Sequence, residues 1–406
     1  MAAPDRAASG RHPGADRGGP VNLSALRRVL VVRADNIGDV VMLTPALRAL
    51  RDALPRAGLD LLASPAGAGV RPLIPELDDV LPVSPTWQQL GGDLPAADAS
   101  ERERGLLELI RSRRYDAMLV FTSFSQSPWP VAHLGLLAGI GVRVVHSREF
   151  AGAVATHWVT PPPDTTHQVD RCLHLLAAIG VPDRGRALRL RVPGGAERLA
   201  EHLLAQVPGA IPGAPFALLV PGASCSARRY PADRFGAAAA RITGAGLPVR
   251  VAGTTREAAL VAEVVRTAGH PDVRALAPTT VPGFAALLRR AAVAVTNNSA
   301  GMHIADAVGT PVVVAYAGTE RHGDMCPRTV PAALLAEPVR CSPCRQLTCP
   351  YGHECLDLPP ERLATAALRL AAPHDTTPTG SAPEEDRWLP SSASSTRTPT
   401  TIPPHR

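Results

Sequence analysis

Residues 295–316 read VTNNSAGMHIADAVGTPVVVAY, and this stretch decides the fold. An apolar lead-in at 291–295 reads as a buried strand, and the small polar residues 296–301 break it. Residues 302–308 have helical character, and a second apolar run covers 311–316. Strand, turn, helix and strand in so short a span is the pattern of a parallel α/β sheet. Small residues between a strand end and a helix start let backbone N–H groups approach a ligand. The helix N-terminus favours negative charge there. With His303 in that first turn, the segment reads as a cradle for a diphosphate.

Outward from it, the same alternation recurs. Residues 28–33, 59–63 and 115–121 read as strands, 45–54 and 169–179 as helices, with Thr44 as N-cap, Pro45 at the first helical position and Gly180 as the stop. After a Pro- and Gly-rich stretch at 208–215 the pattern restarts. Strands are expected at 216–220, 249–252, 273–276, 293–296 and 312–316, and helices at 232–243 and 256–268. Two such sets predict an α/β chain of GT-B type, with two Rossmann-like domains facing across a cleft and a boundary within 185–212. The expected division is 25–190 for the first domain and 191–372 for the second. Residues 1–24 and 373–406 lack apolar periodicity and are expected to be disordered. Ligands of such sheets sit at the carboxyl ends of the strands.

Composition narrows the function. The 406 residues are enough for two cores. Aromatic residues make up only 3%, which argues against nucleic-acid modules that stack bases on exposed rings. The net charge of +6 comes from arginine alone, since the chain contains no lysine. Together with abundant Ala, Gly and Pro this is the mark of a GC-rich genome. The alternative is attraction to phosphorylated substrates or peripheral association with a membrane surface. No segment has the ~20 uninterrupted apolar residues of a membrane span, and residues 1–20 lack the apolar core of a signal peptide, so a cytoplasmic location is expected.

Four places could carry chemistry. After the first strand, Asp35 and Asp39 lie in RADNIGDVVMLTP (33–45), which has no Gly-x-Gly-x-x-Gly for a dinucleotide. Asp39 there is either a carboxylate serving free helix N–H groups or an acceptor for the proton of an attacking hydroxyl. After the strand at 216–220, VPGASCSARRYP (220–231) sets Arg228 and Arg229 beside small residues, an arrangement suited to forked hydrogen bonds with a phosphate. Cys225 in that loop reads as an inert small residue. Residues 297–303 offer Asn297, Asn298 and Ser299 as hydrogen-bonding groups, Ala300 and Gly301 for close approach, and His303 as a donor to phosphate. Finally Cys341, Cys344, Cys349 and Cys355 crowd together with His353. They are either a tetrahedral zinc site or buried free thiols, and the spacing of the second pair is not that of a standard knuckle. Structural disulfides are not expected in a reducing compartment.

Taken together these segments resemble glycosyltransferase family 9, the ADP-heptose:lipopolysaccharide heptosyltransferase family, over about residues 27–370. Four stretches carry the resemblance: 33–48 with Gly38 and Asp39, His167 to Arg171, 221–231, and 298–305. The Cys-rich stretch into Cys355 and residues 360–363 also looks like members that carry cysteines there. The resemblance implies a GT-B fold and inverting, metal-independent transfer from a nucleotide-diphosphate sugar to a glycan hydroxyl, with no cofactor. It makes Asp39 the general base. It places donor contacts at Ser224, Arg228, Glu257, Asn298, Ser299, Ala300, Gly301 and His303, with Ala223 beside Ser224 at the family's small polar positions. Arg228 stands where the family has lysine, and Asn298 and Ala300 where it has aspartate and glycine, so a role at 298 that needs negative charge is lost. Two other functions fit the same residues: a sugar-nucleotide epimerase, which would turn over its substrate with no acceptor, and a non-catalytic sugar-nucleotide binder, which would have no use for the Gly38-Asp39 pair.

Overall fold

In the computed structural model, which describes residues 18, 20–88, 96–124, 126–149 and 152–372, twelve strands form two six-stranded sheets. The first holds β1 (Arg28–Arg33), β2 (Gly58–Ala63), β3 (Asp79–Pro82), β4 (Ala117–Val120), β5 (Val142–His146) and β6 (His157–Val159). The second holds β7 (Ala217–Val220), β8 (Val249–Val251), β9 (Val273–Ala275), β10 (Val293–Asn297), β11 (Val312–Ala315) and β12 (Ala332–Leu335). All pairings are parallel. The orders are β3-β2-β1-β4-β5-β6 and β12-β11-β10-β7-β8-β9, so each sheet has the doubly wound 3-2-1-4-5-6 order. The strand order reverses between β1 and β4 in one lobe and between β7 and β10 in the other. Chains leaving those strands diverge and open a crevice. The loops read above as ligand-binding follow β1, β7 and β10.

Parallel strands covered on both faces need apolar residues at every position, and alternation decides which layer each side chain joins. Val29 and Val31 of β1 enter one layer, while Leu30 and Val32 enter another with Leu106 and Ile110. In the second sheet Leu218, Ala294, Val312 and Val314 share the layer of Val29 and Val31, and Leu219, Val295 and Val313 face a separate cluster around Phe235 and Ile242. One apolar layer therefore runs continuously through both lobes, and residues up to Ala371 form one compact unit. Each fully buried Val or Leu in it contributes about 1.5–3 kcal/mol relative to exposure. Leu47 and Leu50 of the helix Thr44–Ala53 bury one face of that helix against Leu175 and Leu176 of the helix Gln168–Ala177 within this layer. The stretch read as the boundary contains the helix Gly194–Ala205, which packs on Val281–Arg290 of the second lobe.

Several local expectations are corrected. Asp39 does not lie in an open loop but in the first turn of a short helix, Ile37–Met42, with Asn36 before it. Thr44 is not an N-cap. It is already helical, and its hydroxyl donates to the Val41 carbonyl (2.8 Å), because the preceding helix runs almost directly into this one. Residues 20–24, expected to be disordered, are partly anchored: Leu23–Ala25 forms a 3-10 turn and the Val21 N–H donates to Ile179 O (3.4 Å). Residues 1–17, 19 and 373–406 lie outside the described residues. Among the described residues no helix is long and apolar enough to cross a membrane.

Candidate active site

A cleft of ≈ 850 Å³ lies at the two switch points, and its lining includes Asp39 and all eight of the expected donor contacts. The first lobe contributes the wall around β1. Arg33, the last residue of that strand, is fully buried. Its Nη2 pairs with Asp39 Oδ1 (2.8 Å) and Ser123 Oγ (2.9 Å), and its Nε lies 3.0 Å from Asp35 Oδ2. Burial opposes the charge of Arg33, but the two aspartates outweigh it and hold the guanidinium charged. Burial pushes the Asp35 carboxyl above its ordinary value despite Arg33, and Gln126 donates to it. The two carboxylates thus separate. Both line the cleft, but Asp35 is the more deeply set, 8% exposed at its side chain against 20% for Asp39, which is fixed by one oxygen.

The second lobe contributes the cradle. Asn297, at the end of β10, is wholly buried and stitches two loops together. Its amide donates to Pro221 O (2.8 Å) and its carbonyl accepts from the Tyr230 N–H (2.9 Å). The residue offered by the sequence as a ligand contact is thus a structural tie. Ser299 then starts the helix Ala300–Val308, whose first turn faces the cavity with Gly301 and His303. His303 is buried, and burial lowers its pKa to about 4, so the ring is neutral at pH 7 and offers a hydrogen bond without charge. Ser224 is exposed to the cleft on the loop after β7. The two arginines of that loop part ways. Arg229 turns back to hold Ala223 O through Nε (3.2 Å) and Nη2 (3.0 Å), while Arg228 enters the cleft. Burial raises the Cys225 thiol, which keeps it protonated and inert. Glu257 lines the cleft but spends Oε2 on the Thr254 N–H (2.8 Å) and hydroxyl (2.9 Å), capping its own helix.

Glu320 is the residue the sequence did not reveal. It follows β11, is 4% exposed, and pairs with Arg228 while accepting from Asn298 Nδ2 (2.9 Å). A lone Glu after an apolar run carries no local signal. Only the order β11-β10-β7 sets it beside Asn298 and Arg228. Arg345 was missed for a similar reason. The Cys-rich segment pairs its backbone with Gly318 and Thr319 (3.0 and 3.1 Å) and so brings Arg345 to the cleft, against Phe124 of the first lobe (4.6 Å) and the buried Asp324 (2.7 Å).

The lobes are joined around the cleft. His167 caps the helix Gln168–Ala177 by accepting from the Val169 N–H at Nδ1 (3.1 Å), so its proton sits on Nε2 and donates to Cys326 O of the second lobe (3.1 Å). Burial lowers its pKa to about 4. Asp170 pairs with Arg328 through both oxygens (3.0 and 2.5 Å). The 167–171 segment is therefore an interlobe clamp, not a ligand site. Cys341, Cys344, Cys349 and Cys355 line one cavity of ≈ 20 Å³ behind Thr319, and burial raises the Cys355 thiol. All are free thiols, and among the described residues no group of three or more His, Cys, Asp or Glu is arranged to hold a metal ion.

Two doubly wound lobes facing one cleft are the GT-B arrangement. Residues 104–354 match the model of glycosyltransferase family 9 (heptosyltransferase), and the chain belongs to that family. It is 23% identical over 333 residues to lipopolysaccharide heptosyltransferase 1 of Pseudomonas aeruginosa, covering 80% of this chain and 88% of that protein. The fold is similar to a family 9 glycosyltransferase from Veillonella parvula (TM-score 0.67, 19% identity, 85% of this chain and 97% of that one). It is also similar to the ADP-heptose lipopolysaccharide heptosyltransferase II of E. coli (TM-score 0.66, 21% identity, 85% and 98%).

Proposed function

We propose that the enzyme transfers a heptose-like sugar, with inversion, from a nucleotide-diphosphate donor to a hydroxyl of a cell-envelope or other glycan. The single observation that carries this reading is that Asp39 and the cradle line one cavity from opposite lobes, with Gly38 against His303. ADP-heptose is the first donor to test, since the E. coli heptosyltransferase WaaC has been solved with ADP and with ADP-2-deoxy-2-fluoro heptose.

In this mechanism the second lobe holds the donor. Ser224, Ser299, the Gly301 N–H, His303 and Arg228 receive the charge that develops on the leaving diphosphate. The acceptor enters from the first lobe. Its hydroxyl oxygen attacks the anomeric carbon from the face opposite the diphosphate, the carbon–oxygen bond to the diphosphate breaks, and the bonding electron pair departs with it. The hydroxyl proton passes to Asp39, whose Oδ1 is anchored on Arg33 and whose Oδ2 has no protein partner among the described residues. Glu257 and Thr254, which line the cleft on the loop after β8, would meet the nucleoside end.

A thermal-shift screen of ADP-heptose against GDP-, UDP- and dTDP-sugars tests the donor, because a ligand of the folded state raises the melting temperature, more so the tighter it binds. Asp39→Asn then tests the chemistry. ADP binding is expected to persist while transfer is lost. A fully active D39N enzyme removes Asp39 from the role.

A further inference from the structure

Asn298 stands where the family resemblance expects a carboxylate, and a buried carboxylate, Glu320, lies against it. β10 lies between β7 and β11, so the residue after β10 sits between the residues that follow its two neighbours. That residue is Asn298. On one side is Arg228, on the other Glu320, and Thr319 completes the group. Glu320 Oε1 accepts a hydrogen bond from Arg228 Nη2. Its Oε2 accepts from Asn298 Nδ2 (2.9 Å) and from the Thr319 hydroxyl, while Arg228 Nε donates to Thr319 Oγ1 (3.2 Å). The other end of the Asn298 amide is also fixed, because its Oδ1 accepts from the Ala317 N–H (3.0 Å). A flipped amide would set its oxygen against Glu320 Oε2 and its NH2 against the Ala317 N–H, a mismatch at both ends. Asn298 is 4% exposed and Glu320 4%, so neither is bathed in water that would soften these constraints.

We propose that Glu320 is the positioning residue of the donor cradle: it supplies the negative charge missing at 298 and orients the Arg228 guanidinium, and Asn298 is neutral because Glu320 is there. Arg228 Nη1 has no protein partner among the described residues, and Arg228 lines the cleft, so the edge of the fork not held by Glu320 is the one presented to the diphosphate. A carboxylate at 298 would put one of its oxygens where Nδ2 now lies, against Glu320 Oε2. Two carboxylates at that distance in a buried site cannot both stay ionised. One would take up a proton, or Glu320 would swing away and carry Arg228 with it.

This inference rests on the cleft's being a nucleoside-diphosphate site, and the test separates the two. Melting temperatures without ligand are measured from pH 5 to 8 for the wild type, N298D, E320Q and N298D/E320Q. ADP and AMP affinities are then measured by calorimetry. N298D is expected to melt below the wild type at pH 8 and to recover most of that deficit at pH 5. Its folded-state carboxyl pair has a raised pKa, so the penalty is present above that pKa and lost as the pH falls through it. It should also bind ADP roughly tenfold more weakly at pH 8. N298D/E320Q, with a single carboxylate again, should lose the pH-dependent deficit. E320Q should reduce the preference for ADP over AMP several-fold, which general destabilisation would not do. An N298D protein whose melting curve parallels the wild type at every pH overturns the pairing. An E320Q protein with an unchanged ADP-to-AMP preference overturns the orienting role. A wild type that binds no nucleoside diphosphate overturns the donor role of both residues, while the ligand-free melting series still decides whether 298 and 320 are coupled.

Discussion

Gly38 of the first lobe lies directly against His303 of the second: a Cβ at residue 38 would come within 2.8 Å of His303 Cδ2. The contact ties the residue before Asp39 to a ring in the first turn of the helix Ala300–Val308, so the two halves of the site are registered by an absent side chain. Real Cβ contacts are rarely that short, and the ring is buried, so something must move. Gly38→Ala is expected to leave the fold intact and to lower kcat/KM for transfer by about a hundredfold, the usual order for a displacement of ~1 Å in a catalytic site. Circular dichroism with steady-state kinetics checks this. Unchanged kcat/KM would mean the site does not depend on this contact.

A second glycine makes a similar prediction for the donor. A Cβ on Gly222 would meet Glu257 Oε1 at 2.0 Å. Glu257 is held to Thr254 by its other oxygen, so Gly222→Ala should push the whole carboxylate out of the cleft lining. The expected outcome is a rise in KM for the donor of about tenfold with little change in kcat, because the contact is made equally to ground and transition states. If Glu257 has no part in donor binding, KM will stay put.

Buried histidines set the acid limit. His303 and His167 each have a pKa lowered to about 4 by burial, against an ordinary 6.5. The unfolded chain therefore takes up protons below pH 6.5 that the folded chain refuses until about pH 4. Stability from these rings is intact above 6.5 and declines as the pH falls from 6.5 towards 4, by roughly 3 kcal/mol for each fully realised shift. Urea unfolding at pH 7.5, 6 and 5 should show the decline, and His167→Gln should lessen it. Between pH 7 and 8 ADP affinity should not follow a histidine titration, because His303 is already neutral.

The interlobe clamp can be loosened at Asp170, which also accepts from Arg186 Nε (2.8 Å). Asp170→Asn replaces the two-oxygen pairing with Arg328 by a neutral amide, and the pair is about three-quarters buried on both sides. The favourable pairing holds the Asp170 carboxyl below its ordinary range although burial opposes this, so its contribution is present at neutral pH and lost in acid. A loss of about 1–2 kcal/mol in urea unfolding at pH 7.5 is expected. An unaltered midpoint would show that this pair adds nothing to the other contacts that hold the lobes.

The cysteines divide by accessibility. Cys341 is exposed, Cys344, Cys349 and Cys355 are partly covered, and Cys172 and Cys225 are buried. Native alkylation followed by mass spectrometry should label Cys341 first and the buried pair only on unfolding. A metal shared by the four thiols of the small cavity would instead protect all four together and appear in the supernatant after denaturation.

Eight of the twelve described strands were legible because placement depends on neighbours in the chain, while β3, β5, β6 and β12 were not read. The apolar runs at 28–33, 291–295 and 311–316 and the small-residue breaks after them give the alternating order, and local turn chemistry marks where ligands can approach. Asp39, Ser224, Arg228 and the 298–303 segment were legible on the same ground. The short helix around Asp39 was not, since six residues are too few for periodicity to register. Nor were the different fates of Arg228 and Arg229, adjacent residues of the same type whose directions are set by what surrounds them.

By itself, then, the sequence determined two sets of parallel strands and the loops that end them, because hydrophobic period and turn residues act over a few positions. The tertiary structure alone decided which of those loop residues meet. Strand order places Glu320 beside Asn298 and Arg228 across 92 residues of chain, and the apolar layer shared by the two sheets brings Gly38 against His303. The first kind of information is written in spacing. The second depends on which strands become neighbours when the core closes, and no local pattern in the chain records it.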